Sequence, residues 1–469
     1  MINRTLHEIA TMSGGTLATT EFIDTPIQGV TTDSRQITKG CLFVPLVGER
    51  FDGHDYAEAA LHSGAAAILW QADHGQPPTA GPVIIVEDTL TALQQLASSY
   101  LQVSGARVVG ITGSNGKTTT KDIVSSLLSQ AYKVHKTQGN FNNHIGLPLT
   151  ILSMEADTQI AVLEMGMSAR GEIQILSQIA HPEATIVTNI GESHLEHLGS
   201  RQEIARAKLE ILDGLTPGGL FVYNGDEPLI PLVLEEEGTV RPEGLQQITF
   251  GLEASNDFFP TGIMAGREGT IFTTNRYGAE DVFSVPLLGR HNVSNALGAI
   301  AIADYFGLTS EQIRKGLQEL KLTSMRIEIV KAENGVTVLN DAYNASPTSM
   351  KAAIEVLESM QGYRSRIAVL GDMLELGEEA EHLHKEVGLF LTAGKVDQLY
   401  TYGELGAFIA EGAATQLASE SIHVFTDKSL LMEALGQYIR PDDIVLVKAS
   451  RGKRLEEVVH YIINQPHQS

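Results

Sequence analysis

Short apolar runs alternate with longer stretches that are apolar on one side only, and the alternation covers most of the 469-residue chain. Runs at 65–70, 83–86, 107–111, 160–163 and 185–187 read as buried strands, as do later runs at 336–339, 367–370, 398–402, 422–425 and 444–447. Segments 56–62, 117–130, 201–212, 295–305, 349–360, 380–391 and 429–439 carry the helical spacing between them. Strands and helices taking turns predict mainly parallel sheets covered by helices, so the fold class is α/β. The Gly/Pro-rich segment 75–82 reads as a loop, and no internal repeat or low-complexity tract interrupts the pattern. Breaks near Ser104-Gly105 and near 322–324 divide the chain into units 1–104, 105–322 and 323–469, the last a small doubly wound, Rossmann-like domain.

Length agrees with that division, since 469 residues suggest about three domains of ordinary size. Charge adds an exclusion: 33 basic against 57 acidic side chains give a net −24, unsuited to a nucleic-acid surface or an anionic membrane. The single cysteine, Cys41, forms no intramolecular disulfide, and its apolar neighbours Leu42, Phe43 and Val44 predict a buried structural thiol. The first residues lack the apolar core of a signal peptide, and no apolar run reaches the ~18 residues of a membrane span. A soluble cytoplasmic protein without membrane insertion is expected.

Chemistry enters at Val109-Gly110-Ile111-Thr112-Gly113-Ser114-Asn115-Gly116-Lys117-Thr118-Thr119, where a strand runs through a glycine-rich bend into a helix. Such a loop points backbone N–H groups at phosphate oxygens, and the helix N-terminus adds partial positive charge. Lys117 is placed for the β/γ-phosphates and the Thr118 hydroxyl for magnesium. The general phosphate-loop pattern expects glycine five places before Gly116, where this chain has Ile111, so the loop is a variant with glycines at 110, 113 and 116.

Nucleotide binding alone does not name a reaction. Glu164 ends a buried strand, the place for a second magnesium ligand beside a phosphate loop. His194 and His197 follow the strand at 185–187; a His-x-x-His pair without thiolates is a weak zinc signal. Lys208, taken alone, reads as an ordinary helix lysine on a solvated face.

Together these residues resemble the Mur ligase family of ATP-dependent amide-forming enzymes, over essentially the whole chain. The family's phosphate loop corresponds to Gly113, Ser114, Asn115, Gly116, Lys117, Thr118 and Thr119, including the departure at Ile111. The resemblance implies that Glu164 and His194 ligate metal, that Lys208 is carbamoylated, and that Thr118 completes the set for two Mg2+ ions. It also implies that Asn292 and Asn295 lie on the adenine side of ATP, that Arg326 reaches the transferred phosphoryl group, and that Asp341 holds the ribose. In the first domain Ser34, Arg35, Asp52 and His54 correspond to UDP-binding loops, and Asn142 and Asn143 to a loop beside the sugar-peptide substrate.

Residues 370–377 (Leu-Gly-Asp-Met-Leu-Glu-Leu-Gly) and 447–451 point within that family to the member adding D-alanyl-D-alanine to UDP-N-acetylmuramoyl-tripeptide. The implied reaction passes through an acyl phosphate, with Lys117, Arg326, His194 and Lys208 as catalytic groups, in a monomer whose last domain closes on the nucleotide. A sister ligase adding a single amino acid, and a phosphate-loop switch protein, remain as alternatives. The second gives Lys208 and Arg326 nothing to do.

Overall fold

The computed structural model describes residues 1–266, 269–278, 281–323 and 328–465. Arg326, expected at the domain junction, lies outside these described residues.

The central sheet has six parallel strands in the order Gln246–Phe250, Leu220–Asn224, Ala184–Val187, Arg107–Thr112, Ile160–Glu164 and Val134–Lys136. Its inner strands are mainly apolar because both faces are covered. Val109 and Ile111 face Ile123, Val124 and Leu127 of the helix Lys117–Leu128, with Ala296 and Ile300 of the helix Arg290–Tyr305 beyond them. Val108 and Leu163 point the other way, toward Ile173 and Leu176 of the helix Glu172–Ala180 and toward Ile204 and Ile211. The strand order reverses about Arg107–Thr112, which opens a crevice at the C-terminal strand ends, where α/β sheets bind ligands. Register brings three segments to that edge: Glu164 pairs with Ile111, and Val187 with Thr112.

A second six-stranded sheet holds Glu328–Lys331, Thr337–Asn340, Ile444–Lys448, Arg366–Gly371, Gln398–Tyr402 and Ile422–Phe425, parallel except at its first edge. The N-terminal sheet runs Thr16–Leu17, Val83–Val86, Ala67–Gln71, Leu42–Phe43 and Val30–Thr31, again with one antiparallel edge. Its Leu42, Leu69 and Ile84 share one apolar cluster with Leu96 of the helix Thr89–Ser104 and with Leu147 and Ile151 of the helix Gly146–Leu152. Cys41 is buried at this sheet, as a structural thiol should be.

Several elements differ from the expected pattern. The run at 65–70 forms a strand only from Ala67, and the segment 201–212 divides into an α-helix Arg201–Leu209 and a 3-10 turn Glu210–Leu212. The helix expected at 349–360 begins at Pro347, because Ser346 caps it and a proline costs nothing where no intrahelical N–H is needed. An unforeseen antiparallel sheet, Pro260–Ala265, Thr270–Thr274 and Val282–Val285, packs Phe272 and Phe283 under the central domain. Among the described residues no helix is long and apolar enough to cross a membrane.

Candidate active site

The loop after Arg107–Thr112 is shaped by two glycines. Gly113 has φ 148° and a Cβ there would strike Thr188 Oγ1, while Gly116 has φ 82° and a Cβ would press on Asn295 Oδ1. Only glycine meets both demands cheaply. The segment after Ala184–Val187 fixes the loop from the side: Asn115 N donates to Asn189 Oδ1 at 2.8 Å, and Ser114 N to Asn189 O at 3.0 Å. Thr188 Oγ1 donates to Asn115 O at 2.6 Å and Gly191 N to Ser114 Oγ at 2.9 Å. Lys117 Nζ donates back to Gly113 O at 2.7 Å, so the ammonium is folded over the loop it serves.

Glu164 is buried. Its Oε1 accepts from Asn142 Nδ2 at 2.9 Å, while Oε2 is sealed from solvent with no hydrogen-bond partner among the described residues. A buried carboxylate oxygen without a donor is costly, and a cation would relieve it. Thr118 lies across the same cavity. These donors are hard oxygens, the kind magnesium takes, so the residues fit the ion. His194 stands in the left-handed region at φ 65°, and its Nδ1 is 2.6 Å from Glu375 Oε2 of the C-terminal domain. That imidazole holds the Glu375 carboxyl below the usual carboxylate range.

Lys208 is fully enclosed by the fold rather than solvated, contrary to its reading as an ordinary helix lysine. Burial, helped by the nearby Lys117 charge, pulls its ammonium well below the ordinary lysine range. An amine so placed gives up its proton more readily than an exposed lysine, which favours the nucleophilic form.

A cavity of about 650 Å³ lies between the central and C-terminal domains, and Lys208 is buried outside its lining. Ser114, Asn115, Gly116, Lys117, Thr118 and Thr119 form one wall, with Glu164, His194, Asn142 and Asn143 beside them. Asn292, Asn295 and Asp341 line it as well. Asn295 Nδ2 donates to Asn292 Oδ1 at 3.1 Å and Asn292 Nδ2 to Leu288 O at 2.8 Å, a relay that backs the phosphate loop. Asp341 Oδ2 accepts from the buried Lys448 at 2.5 Å.

The remaining expected substrate residues are not brought to this cavity. Arg35 is 86% exposed and clamps Asp33 through Nε and Nη2 at 2.8 and 2.9 Å. Ser34 sits in the same 3-10 turn, Ser34–Gln36, capped by Asp33. His54 turns its ring inward, Nδ1 2.7 Å from Asp52 Oδ1 and edge-on to Trp70.

Three family models match the chain: the Mur ligase family catalytic domain at 26–101, the Mur ligase middle domain at 111–303, and the Mur ligase glutamate ligase domain at 325–451. The chain belongs to the Mur ligase family. It is 51% identical over 466 residues to the UDP-N-acetylmuramoyl-tripeptide–D-alanyl-D-alanine ligase of Bacillus subtilis (strain 168), covering 99% of this chain and 100% of that one. The Escherichia coli (strain K12) ligase of the same name is 37% identical, with 98% of each chain covered. Among solved structures, MurF from Acinetobacter baumannii superposes with a TM-score of 0.89 at 28% identity, over 99% of this chain and 100% of that chain. MurF from Thermotoga maritima in complex with ADP gives 0.80 at 30% identity, over 92% and 96%.

Within this family architecture, the residues that sequence reasoning passed over are those joining the domains. Thr348 Oγ1 donates to Glu192 Oε2 at 2.8 Å, Ser346 Oγ to Asn115 Oδ1 at 3.3 Å, and Glu196 N to Glu375 O at 3.0 Å. Asp122 was missed too: this buried carboxylate on the phosphate-loop helix accepts from Lys136 Nζ at 2.6 Å and from Thr323 N at 2.8 Å, pinning the start of the domain linker. The Thr-Asn-Ile-Gly-Glu run at 188–192 was visible as a motif, but nothing in it named its partners.

Proposed function

We propose that this chain is an ATP-dependent ligase that joins D-alanyl-D-alanine to UDP-N-acetylmuramoyl-tripeptide, a step of peptidoglycan precursor synthesis. One observation carries the reading beyond nucleotide binding: the phosphate loop and Glu164, a buried carboxylate with an unpartnered oxygen, line one cavity walled by two domains, and burial together with the Lys117 charge disfavours the ammonium of Lys208. The full-length likeness to ligases of that name supplies the substrates.

A carboxylate is a poor electrophile, so amide formation in water requires activation. The tripeptide's terminal carboxylate oxygen attacks the γ-phosphorus; the new O–P bond forms as the bond to the β-phosphate oxygen breaks, giving an acyl phosphate and ADP. The dipeptide amine then attacks the acyl carbon, and the C–O bond to phosphate breaks as the amide forms. Lys117 and the N–H groups of the loop meet the charge gathering on the transferred phosphoryl group. Arg326 joins them in this proposal. Magnesium, when bound, neutralises phosphate charge; Thr118 and Glu164 would hold one ion, His194 and the Lys208 carbamate another. Addition of the neutral Lys208 amine to carbon dioxide forms the N–C bond and releases a proton, turning a cation's side chain into an anion suited to a metal.

We further propose domains at 1–104, 105–322 and 323–469, with Ser34, Arg35, Asp52 and His54 facing the UDP moiety and the protein acting as a monomer. The test is phosphate release from ATP as substrates are added. Release is expected only with both UDP-muramoyl-tripeptide and D-alanyl-D-alanine; release with single amino acids instead would identify a sister ligase, and release with no amine would sink the reading.

A further inference from the structure

We propose that Glu375 is a positioning residue of the metal site: reaching across from the C-terminal domain, it orients the His194 imidazole so that Nε2 faces the cation held in the central domain. The inference rests on His194 being a metal ligand, as proposed above.

Geometry carries it. Five non-glycine residues among those described have positive φ, and two of them meet here: His194 at 65° and Glu375 at 64°. Left-handed backbone at a residue with a Cβ is unfavourable and persists where its surroundings over-determine it, often at functional sites. Both residues are bent toward each other, and Nδ1 stands 2.6 Å from Oε2. Nδ1 is sealed from solvent, and no hydrogen bond to another described group competes for it. The main chain makes a parallel grip, Glu196 N to Glu375 O at 3.0 Å, and Gly377 lies against Glu196.

A carboxylate on one imidazole nitrogen fixes the tautomer and leaves the other nitrogen's lone pair for a metal. In most sites that carboxylate belongs to the same domain as the ligand. Here it arrives with the C-terminal domain, so His194 is oriented for a cation only when the two domains are docked. Residues 370–377 thereby gain a role that the phosphoryl-transfer chemistry alone did not give them.

The experiment titrates Mn2+ into the full-length protein with a non-hydrolysable ATP analogue, following bound ion by electron paramagnetic resonance. Glu375→Ala is expected to weaken one Mn2+ site roughly ten- to a hundred-fold. Glu375→Gln, which can still accept from Nδ1–H, should weaken it less. His194→Ala should abolish that site, and the double variant His194→Ala/Glu375→Ala should behave as His194→Ala alone. Thr348→Ala cuts a different interdomain bond and should leave Mn2+ affinity intact. Undiminished Mn2+ binding in Glu375→Ala, beside a loss in His194→Ala, would overturn the positioning role and spare the ligand. Undiminished binding in His194→Ala would overturn the ligand assignment and this proposal with it. An equal loss in Thr348→Ala would assign the effect to docking in general and overturn the orienting role. Thermal unfolding of each variant checks that the fold persists.

Discussion

At Lys208 the outcome turns on whether an amine is charged. Burial and the Lys117 charge disfavour the ammonium, so Lys208→Met, which keeps the volume and removes the nucleophile, should lower ligation roughly a hundred-fold or more with little loss of stability. Phosphate-release kinetics check this, and the wild-type rate should also fall in carbon-dioxide-depleted buffer and return with bicarbonate. A second residue sets a pH limit. Burial pulls the His291 imidazole from 6.5 down to about 4, with Asp341 raising it and Lys448 lowering it further. Its folded value lies below its unfolded one, so between roughly pH 6.5 and 4 the unfolded chain takes the proton first and stability falls as pH falls. His291 keeps some surface toward the cavity, which makes the loss smaller than full enclosure would give. Replacing it by Asn should flatten the acid side of a denaturation-midpoint profile. Little of this was legible in the sequence. A helical lysine looks the same whether it faces water or a packed domain, and only the family resemblance singled out Lys208. Glu375 was quoted within a motif without a role, because its partner lies 181 positions away (375 − 194).

Elements were easier to read than residues, for a physical reason. Short runs rich in apolar and β-branched residues mark strands, and Gln398–Tyr402, Ile422–Phe425 and Val83–Val86 match their expected limits. The antiparallel sheet at 260–285 was missed because its first strand is exposed at most positions and offers no apolar run to detect. The helix Pro347–Ser359 was placed two residues late because its start is set by a cap rather than by periodicity. Ser346 there has two duties: it closes a capping box with Ser349 and donates to Asn115 of the phosphate loop. Ser346→Ala should cost about 1 kcal/mol of stability, read from chemical denaturation. It should also raise the KM for ATP, since the loop loses a contact from the opposite domain.

The whole molecule places half of its chemistry on each side of a cleft. Lys117, Thr118 and Glu164 belong to the central domain, and Asp341 and Lys448 to the last, so ligation requires the two to be together. Small-angle scattering is expected to show a contraction between the free protein and its complex with a non-hydrolysable ATP analogue and the peptide substrate; superimposable profiles would remove closure from the mechanism. Closure matters because water in the cavity would hydrolyse the acyl phosphate.

Besides Leu288 of the central domain, which packs into the apolar cluster of the last, the clasp between these domains has polar contacts, Thr348 to Glu192, Ser346 to Asn115 and Glu375 to His194 and Glu196. Contacts of that kind contribute little individually in the presence of water. The covalent linker, pinned through Thr323 to Asp122, supplies an effective concentration on the order of millimolar and spares the domains the search. A permanent tether would let the halves part after a turnover and meet again at once, so that the intermediate could be held tightly without the product being trapped.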